Sequence, residues 1–213
     1  MPWIIIGIII SYFLGSIPTA YIFGRLTKGI DIRNYGSGNV GATNAARVLG
    51  KKLGALILFL DMLKGFISAG LGGNILARYT PQLSIDKICI ILGIACISGH
   101  IWTIFLRFKG GKGVATTLGV LLGLGYNIPD LMVIFLLMVL IWFLIFAISR
   151  YVSLASVIAA ITLPFFMIIF KQTKILLGSS ILISLLIILS HRANIQRLIQ
   201  GAEPKLITKR QQT

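Results

Sequence analysis

Long apolar runs alternate with short polar segments along the chain. Each run is apolar on all sides, which is typical of helices that are surrounded by lipid or by other helices. Several runs are shorter than the roughly 20 residues that a simple span needs, so tilt or burial in the bundle must cover the difference. The pattern predicts seven membrane-spanning helices, at about 3–23, 53–71, 87–105, 114–126, 131–148, 152–170 and 175–190.

Composition supports a membrane protein. Hydrophobic residues make up 57% of the chain and charged residues only 12%, which is about half of the charged fraction in soluble domains. We find no internal repeat and no separate soluble domain. The expected fold is therefore an all-α polytopic membrane protein, with residues 1–213 as a single integral membrane domain.

The distribution of Lys and Arg predicts the orientation. The net charge is +15, from 20 Lys and Arg against 5 Asp and Glu. If the N-terminus lies outside, 15 of the basic residues fall in inner segments and four in outer ones. Because basic residues favour the cytoplasmic side, we expect the N-terminus outside and the C-terminus in the cytoplasm. This orientation also puts every segment rich in Gly, Asn or His on one side.

The first of these polar segments, residues 31–47, is rich in glycine and small polar side chains. Successive backbone N–H groups in such a turn form an anion-binding nest, and a following helix N-terminus strengthens it. The glycine spacing matches a dinucleotide fingerprint, but that motif needs a preceding strand, and here a span precedes it. We interpret the segment as a phosphate cradle; a flexible connecting loop is the alternative. The candidate ligands are Ser37, Asn39, Thr43, Asn44 and Arg47.

The second polar segment joins Gly99 and His100 to residues 108–116, just before the short fourth span. Lys109 and Lys112 lie on either side of two glycines, which places cations and a flexible turn at a helix N-terminus. The glycine spacing does not fit a Walker A loop. We interpret the segment, with Gly110, Gly111 and Gly113, as a second anion site. The alternatives are a pair of anchoring lysines and, for His100, a core or capping role.

The third polar segment, residues 191–205, places His191 and Asn194 one helical turn apart on one face. Such a pair can handle a proton or hydrogen-bond an oxyanion. Arg192 and Arg197 also fit membrane-surface anchors, and Glu203 fits a balancing charge for the nearby arginines. Ser153 and Ser156, between the second and third segments, also fit ordinary packing residues.

Three features inside the predicted spans favour structural roles. Asp61 and Lys64 share a helical face at i, i+3 and are expected to pair. Gly119 and Gly123 form a motif that allows close helix packing. Cys89 and Cys96 lie about two helical turns apart in one run, too far for a disulfide.

Several catalytic patterns are missing from the sequence. Neither histidine is followed five residues later by aspartate, no His/Asp/Glu metal cluster is visible, and there is no nucleophile elbow. We therefore expect neither a metal nor a cofactor. What remains is a positively charged hollow, which suits a reaction between two phosphorylated substrates that the protein orients and whose charge it screens.

The three polar segments, together with Gly15-Ser16-Ile17-Pro18, resemble the motifs of the bacterial acyl-phosphate:glycerol-3-phosphate acyltransferase family. They occur across the whole chain in the family's order. The resemblance implies five catalytic residues: Ser37, Arg47, Lys112, His191 and Asn194. It implies a substrate-binding set of Asn39, Thr43, Asn44, Lys109, Gly110, Gly111, Gly113, Ser156 and Arg192.

The resemblance also implies a seven-helix bundle in the bacterial inner membrane with its active site on the cytoplasmic side. Acyl phosphate would be the donor, glycerol 3-phosphate the acceptor, and lysophosphatidic acid and phosphate the products. The expected partners are an acyl-phosphate-producing enzyme and membrane lipids. The residues alone also fit a transporter or flippase for an anionic solute or lipid, although no inverted repeat is visible. A nucleic-acid partner is not expected, since aromatic platforms are scarce in the inner loops.

Overall fold

The protein is all-helical. The computed structural model describes residues 2–206. Eleven α-helices occur in that part of the chain. They are α1 (Pro2–Ser16), α2 (Thr19–Lys28), α3 (Ala42–Val48), α4 (Lys51–Phe66), α5 (Gly73–Ala77), α6 (Ile85–Ile101), α7 (Val114–Gly125), α8 (Pro129–Ser149), α9 (Val152–Ile169), α10 (Lys174–Ser190) and α11 (Arg192–Ile199).

Within residues 2–206, five helical stretches are long and apolar enough to cross a membrane. A sixth crossing follows if α10 and α11, which meet at a 60° bend, are counted together. The helix α7 is apolar but only 12 residues long. The chain is therefore an integral, multi-pass membrane protein. The predicted count of seven and the predicted orientation remain predictions.

The first predicted span is not one continuous helix. The helix α1 ends at Ser16, and α2 begins at Thr19 after a break at Ile17 and Pro18. Proline lacks the N–H that a helix needs and biases the preceding residue away from helical conformation. The break leaves the Ile17 carbonyl free to accept a hydrogen bond from Lys64 Nζ at 3.3 Å.

The second predicted span is longer than expected, and the third ends earlier. After α4 the chain continues through a π-helical stretch, Ile67–Gly72, directly into α5. A π-helical stretch widens the helix locally and allows it to continue past an insertion. The helix α6 ends at Ile101, and a short 3-10 turn, Ile104–Leu106, carries the chain into the second polar segment. The other predicted spans agree with α7 to α10 within two residues at each end.

Close backbone contacts hold the centre of the bundle together. The helix α4 packs on α7, α1 on α6, α8 on α9, and α9 on α10. The predicted structural role of Gly119 is confirmed, because a Cβ there would lie 1.9 Å from the Met62 carbonyl oxygen of α4. Both cysteines are buried and free, as expected.

We expect Gly119→Ala to destabilise the bundle by about 1–3 kcal/mol, the usual cost of overpacking a tight helix contact. Thermal unfolding of the purified protein in detergent measures this. Gly178→Ala on α10 is the matched control, because a Cβ there meets no atom within 4 Å. Alanine also has the better helix propensity, so the control variant should be as stable as the unchanged protein or slightly more so. Equal losses in both variants would contradict the packing argument.

Candidate active site

The three polar segments meet around one cavity of about 350 Å³. Its lining divides into two chemically different groups. The polar group contains Ser37, Asn39, Thr43, Asn44, Arg47, Asp61, His100, Lys112, Ser153, Ser156, His191, Asn194 and Glu203. The apolar group contains Leu58, Met62, Val114, Leu118, Phe135, Val139, Trp142 and Phe143, together with Val152. One hollow therefore offers surfaces for a polar head and for an apolar chain.

Most of the predicted site residues border this cavity. Those on the lining are Ser37, Asn39, Thr43, Asn44, Arg47, Lys112, Gly113, Ser156, His191 and Asn194. Lys109 and Arg192 are exposed on the protein surface and do not line it. Gly110 and Gly111, the two residues that precede Lys112, do not line the cavity either.

Asn44 organises the first polar loop. Its side chain is buried, and its Oδ1 accepts a hydrogen bond from the Ser37 backbone N–H at 2.8 Å. Its Nδ2 donates to the carbonyls of Tyr35 at 3.0 Å and Ile32 at 3.4 Å. Asn44 thus holds three points of the loop at once, and through them it fixes Ser37 at the cavity.

We expect Asn44→Asp to lower kcat/KM about tenfold and the free energy of unfolding by about 1–3 kcal/mol. The carboxylate keeps an acceptor for the Ser37 N–H but cannot donate to the two carbonyls, and it adds negative charge to an anion site. Assays of the acyl transfer that the resemblance implies, together with thermal unfolding, measure the two effects. Asn34→Asp, an exposed position of the same loop, is the control and should change neither. An Asn44→Asp variant with unchanged activity would contradict this role.

The beginning of the same loop is tied down by an ion pair. Arg33 Nη2 donates to Asp31 Oδ2 at 2.6 Å, and the Asp31 carboxylate also accepts from the Arg33 backbone N–H at 3.1 Å. The hydrogen bonds from Arg33 lower the pKa of Asp31 to about 2. The pair therefore stays ionised throughout the physiological range.

Lys112 joins the second polar segment to the third. Its ammonium donates to Asn194 Oδ1 across the cavity wall. Burial lowers the pKa of Lys112 to about 8, with Arg197 and Arg47 adding to the shift and Glu203 opposing it. With this pKa, the ammonium is still mostly protonated at neutral pH, and it faces the cavity. An anionic substrate bound there would raise the pKa of Lys112 toward its ordinary value.

Glu203 has a larger role than the charge balance that we expected from the sequence. Its carboxylate accepts from Asn194 Nδ2 at 2.6 Å and from Arg197 Nε at 2.8 Å. Burial alone would raise the pKa of Glu203, but these hydrogen bonds and Arg197 outweigh it and lower the pKa. Glu203 therefore fixes the amide of Asn194 so that its oxygen points to Lys112.

The segment around Glu203 also lies across Arg47. The Arg47 guanidinium donates to the Pro204 carbonyl at 3.0 Å, and burial lowers its pKa. Farther along, the Leu206 N–H donates to the Arg150 carbonyl at 3.3 Å, and Lys205 Nζ lies 5.4 Å from the centre of the Tyr151 ring. These contacts connect α3, α11 and the loop between α8 and α9 on one side of the cavity.

A hydrogen bond to a backbone carbonyl fixes the orientation of the His191 ring. Its Nδ1 lies 2.8 Å from the Ile187 carbonyl, which can only accept, so Nδ1 carries the proton. In the neutral ring, Nε2 is then the acceptor.

Ser156 is less available for contact with a substrate, because its hydroxyl donates to the Val152 carbonyl at 2.8 Å and accepts from Trp142 Nε1 at 3.1 Å.

Four polar residues of the lining, Asp61, His100, Ser153 and Glu203, were not in the predicted site. Asp61 and His100 border the cavity, although we interpreted them as half of a packing pair and as a core or capping histidine. The pairing itself is confirmed, since Lys64 Nζ lies 2.9 Å from Asp61 Oδ1. An ionisable residue inside a predicted span is the signal that could have identified them.

The fold and the cavity together define a class of protein. It is an integral membrane protein whose internal cavity combines cations and amides with an apolar chamber, which suits a molecule with a phosphorylated head and an acyl chain. Among residues 2–206, no three His, Cys, Asp or Glu side chains lie close enough to hold a metal ion.

Comparison with known proteins identifies the family. The sequence model that describes the glycerol-3-phosphate acyltransferase family matches residues 5–201 of this chain. Among curated relatives, the glycerol-3-phosphate acyltransferase of Staphylococcus haemolyticus is 43% identical over 211 residues, covering 95% of this chain and 98% of the relative. That of Fusobacterium nucleatum is 42% identical over 198 residues, covering 93% and 95%.

Two solved structures of PlsY (YgiH), an integral membrane glycerol 3-phosphate acyltransferase, share the fold. Its glycerol 3-phosphate form superposes with a TM-score of 0.83 at 42% identity, covering 95% of this chain and 94% of that one. Its lysophosphatidic acid form gives a TM-score of 0.80 at 41% identity over the same shares. The chain belongs to the glycerol-3-phosphate acyltransferase family. It is an acyltransferase of phospholipid synthesis, and its product is lysophosphatidic acid.

Proposed function

We propose that the acyl donor is an acyl phosphate and that the acceptor is the 1-hydroxyl of glycerol 3-phosphate. The observation that carries this proposal is a cavity in which cations and an apolar chamber adjoin. Both proposed substrates carry a phosphate, and Arg47 and Lys112 offer one cation each from different segments. Apolar residues of α4, α7 and α8 offer a place for the acyl chain.

The proposed roles follow the two polar loops. Ser37, Asn39, Thr43 and Arg47 bind the phosphate of the donor, since N–H groups and a guanidinium suit a phosphate in a glycine-rich turn. Lys112 binds glycerol 3-phosphate, and Gly110, Gly111 and Gly113 shape its approach. Lys109 and Arg192 are exposed cations that do not line the cavity, and their role is to attract anionic substrates.

The proposed reaction needs no acyl-enzyme. The 1-hydroxyl oxygen attacks the acyl carbonyl carbon, the new C–O bond forms, and the bond from that carbon to the phosphate oxygen breaks. The leaving phosphate takes the hydroxyl proton and departs as inorganic phosphate. His191 and Asn194 orient the hydroxyl and stabilise the oxyanion, since orientation and fixed dipoles supply most of the rate in such reactions. No cofactor takes part.

We also propose seven spans in the bacterial inner membrane, with the N-terminus outside and both the C-terminus and the site cytoplasmic. The distribution of Lys and Arg supports this orientation. The short helix α7 packs against α4, α6 and α8, so its neighbours compensate for its length. Membrane-impermeant maleimide should label Gln82→Cys in intact cells and Lys52→Cys only after lysis. Labelling of Lys52→Cys alone in intact cells would reverse the orientation.

An acyl phosphate is a reactive mixed anhydride with a long apolar chain, so it is poorly suited to free diffusion in water. This chemistry favours an acyl-phosphate-producing enzyme as a partner at the cytoplasmic surface, and membrane lipids as the surroundings. A nucleic acid is not a proposed partner.

The donor is tested with purified protein in detergent or lipid cubic phase. Palmitoyl phosphate is mixed with glycerol 3-phosphate and phosphate release is followed, with palmitoyl-CoA as a parallel donor. We expect acceptor-dependent phosphate release with palmitoyl phosphate and no transfer from palmitoyl-CoA. Activity with the CoA ester alone would reject the donor. No turnover with either donor, in protein that still binds glycerol 3-phosphate, would instead favour transport, the alternative function.

A further inference from the structure

A buried polar cluster lies beside the cavity, and the proposed mechanism does not use it. We call Thr19, Asp61, Lys64 and His100 the Asp61 cluster; all four side chains are less than a tenth exposed. Asp61 Oδ1 accepts from Thr19 Oγ1 at 2.9 Å and lies 2.9 Å from Lys64 Nζ. His100 Nδ1 lies 3.7 Å from the same oxygen.

The cluster joins three separate parts of the bundle. Thr19 is the first residue of α2, Lys64 reaches back from α4 to the Ile17 carbonyl at the break after α1, and His100 is the next-to-last residue of α6. Desolvation offsets most of the attraction in a buried ion pair, so such pairs contribute little net stability. What the pair does supply is a fixed relative position of α2, α4 and the end of α6.

The end of α6 is also the base of the loop that carries Lys112. The Gly110 N–H donates to the Ile101 carbonyl at 2.9 Å, and the Gly111 N–H donates to the His100 carbonyl at 3.0 Å. The His100 ring packs directly against Gly111, because a Cβ at that glycine would lie 2.1 Å from His100 Nε2. Lys112 is the next residue, so its backbone position depends on where the imidazole lies.

We propose that Asp61, Lys64 and His100 are positioning residues for Lys112. The ion pair packs beside the imidazole. The imidazole and the backbone carbonyl of His100 hold the base of the loop, and the loop places the ammonium at the cavity. This inference rests on the proposed binding of a substrate phosphate by Lys112.

The contact between His100 and Gly111 gives a direct test with a complementary pair of substitutions. Gly111→Ala should lower kcat/KM about tenfold or more, because the added methyl displaces either the imidazole or the loop. His100→Ala should lower it by a similar factor, because the loop base loses its support. In the double variant the methyl fills space that the imidazole has left, so kcat/KM should recover above that of Gly111→Ala alone. A double variant with the product of both losses would overturn the proposal.

The ion pair is tested by neutralising both partners together, as Asp61→Asn with Lys64→Met. These two substitutions together leave no unmatched buried charge. The asparagine keeps an oxygen that can accept from the Thr19 hydroxyl, so the protein should fold with a nearly unchanged Tm. We expect about a tenfold rise in KM for the same substrate whose KM rises in Lys112→Ala, with a smaller change in kcat. Ser184→Ala is the control, because it removes a buried hydrogen bond to the Ala160 carbonyl away from the cavity. It should leave both KM values unchanged.

A double-mutant cycle separates this inference from the proposed function. If the cluster acts through Lys112, neutralising Asp61 and Lys64 in the Lys112→Ala background should change KM less than about twofold. Full additivity of the two effects would overturn the positioning role while leaving the role of Lys112 intact. A Lys112→Ala variant with unchanged kinetics would instead remove the proposed phosphate site, and the positioning role with it.

Discussion

Lys112→Ala is expected to lower kcat/KM for acyl transfer by roughly 10²- to 10³-fold, the range for losing one preorganised donor at a site of developing charge. The ammonium is largely buried and faces the cavity. A water molecule in its place would not supply the positive charge that the variant has lost. Acyl transfer by the purified protein, with each substrate varied in turn, measures the loss and identifies the substrate that Lys112 binds. Lys52→Ala, at an exposed lysine that does not line the cavity, is the control and should retain full activity.

The lowered pKa of Lys112 adds a second arm to this experiment. Because burial lowers the pKa to about 8, the free enzyme loses this positive charge as the pH rises through that value. Substrate binding should therefore weaken above about pH 8, and kcat/KM should fall there. Lys112→Arg keeps its charge at all these pH values and should remove the fall, whatever activity it retains. The same alkaline fall in Lys112→Arg would assign the titration to another group.

The apolar pattern predicts the helices well but not their interruptions. Composition and run length are enough to place α7 to α10 within two residues. Pro18 is a local signal that the first span could break, whereas the hydrogen bond from Lys64 to the Ile17 carbonyl comes from another helix and is visible only in the fold. The extension of α4 through Ile67–Gly72 has no such local signal, because it depends on how that helix fits against α7.

The polar segments predict which loops form the site, but not which side chains within them face the cavity. Lys109 and Lys112 are equivalent in the sequence, as cations on either side of two glycines. The hydrogen bonds of Gly110 and Gly111 to the end of α6 direct the chain so that Lys112 enters and Lys109 stays outside. Those bonds join residues that are close in sequence, but their geometry follows from the position of α6, which is a tertiary property.

Pairs that are distant in sequence account for the remaining differences. Lys112 and Asn194 are 82 residues apart, and Thr19 and Asp61 are 42 apart. Each residue has an ordinary structural explanation by itself, such as an anchor, a cap or a packing residue. Only the fold shows that Glu203 holds Asn194 against Lys112, and that the His100 ring packs against Gly111, the residue before that lysine.

The orientation of His191 bears on where the proton of the attacking hydroxyl goes. Nδ1 donates to the Ile187 carbonyl, so Nε2 is the acceptor when the ring is neutral. An acceptor in this place either orients the hydroxyl or removes its proton. The leaving phosphate of the donor is itself a proton acceptor, and this makes an obligatory protein base unnecessary.

His191→Ala is therefore expected to lower kcat by about 10²-fold, near the lower limit for losing a general base, and to leave measurable activity. If His191 only orients the hydroxyl, the shape of the pH profile of kcat between about pH 6 and pH 9 should match that of the unchanged protein. Gln196→Ala, at an exposed position of α11, is the control and should change neither the rate nor the profile. A His191→Ala rate at background at every pH would instead make His191 the base, and the proton would then pass through the protein rather than directly to the departing phosphate.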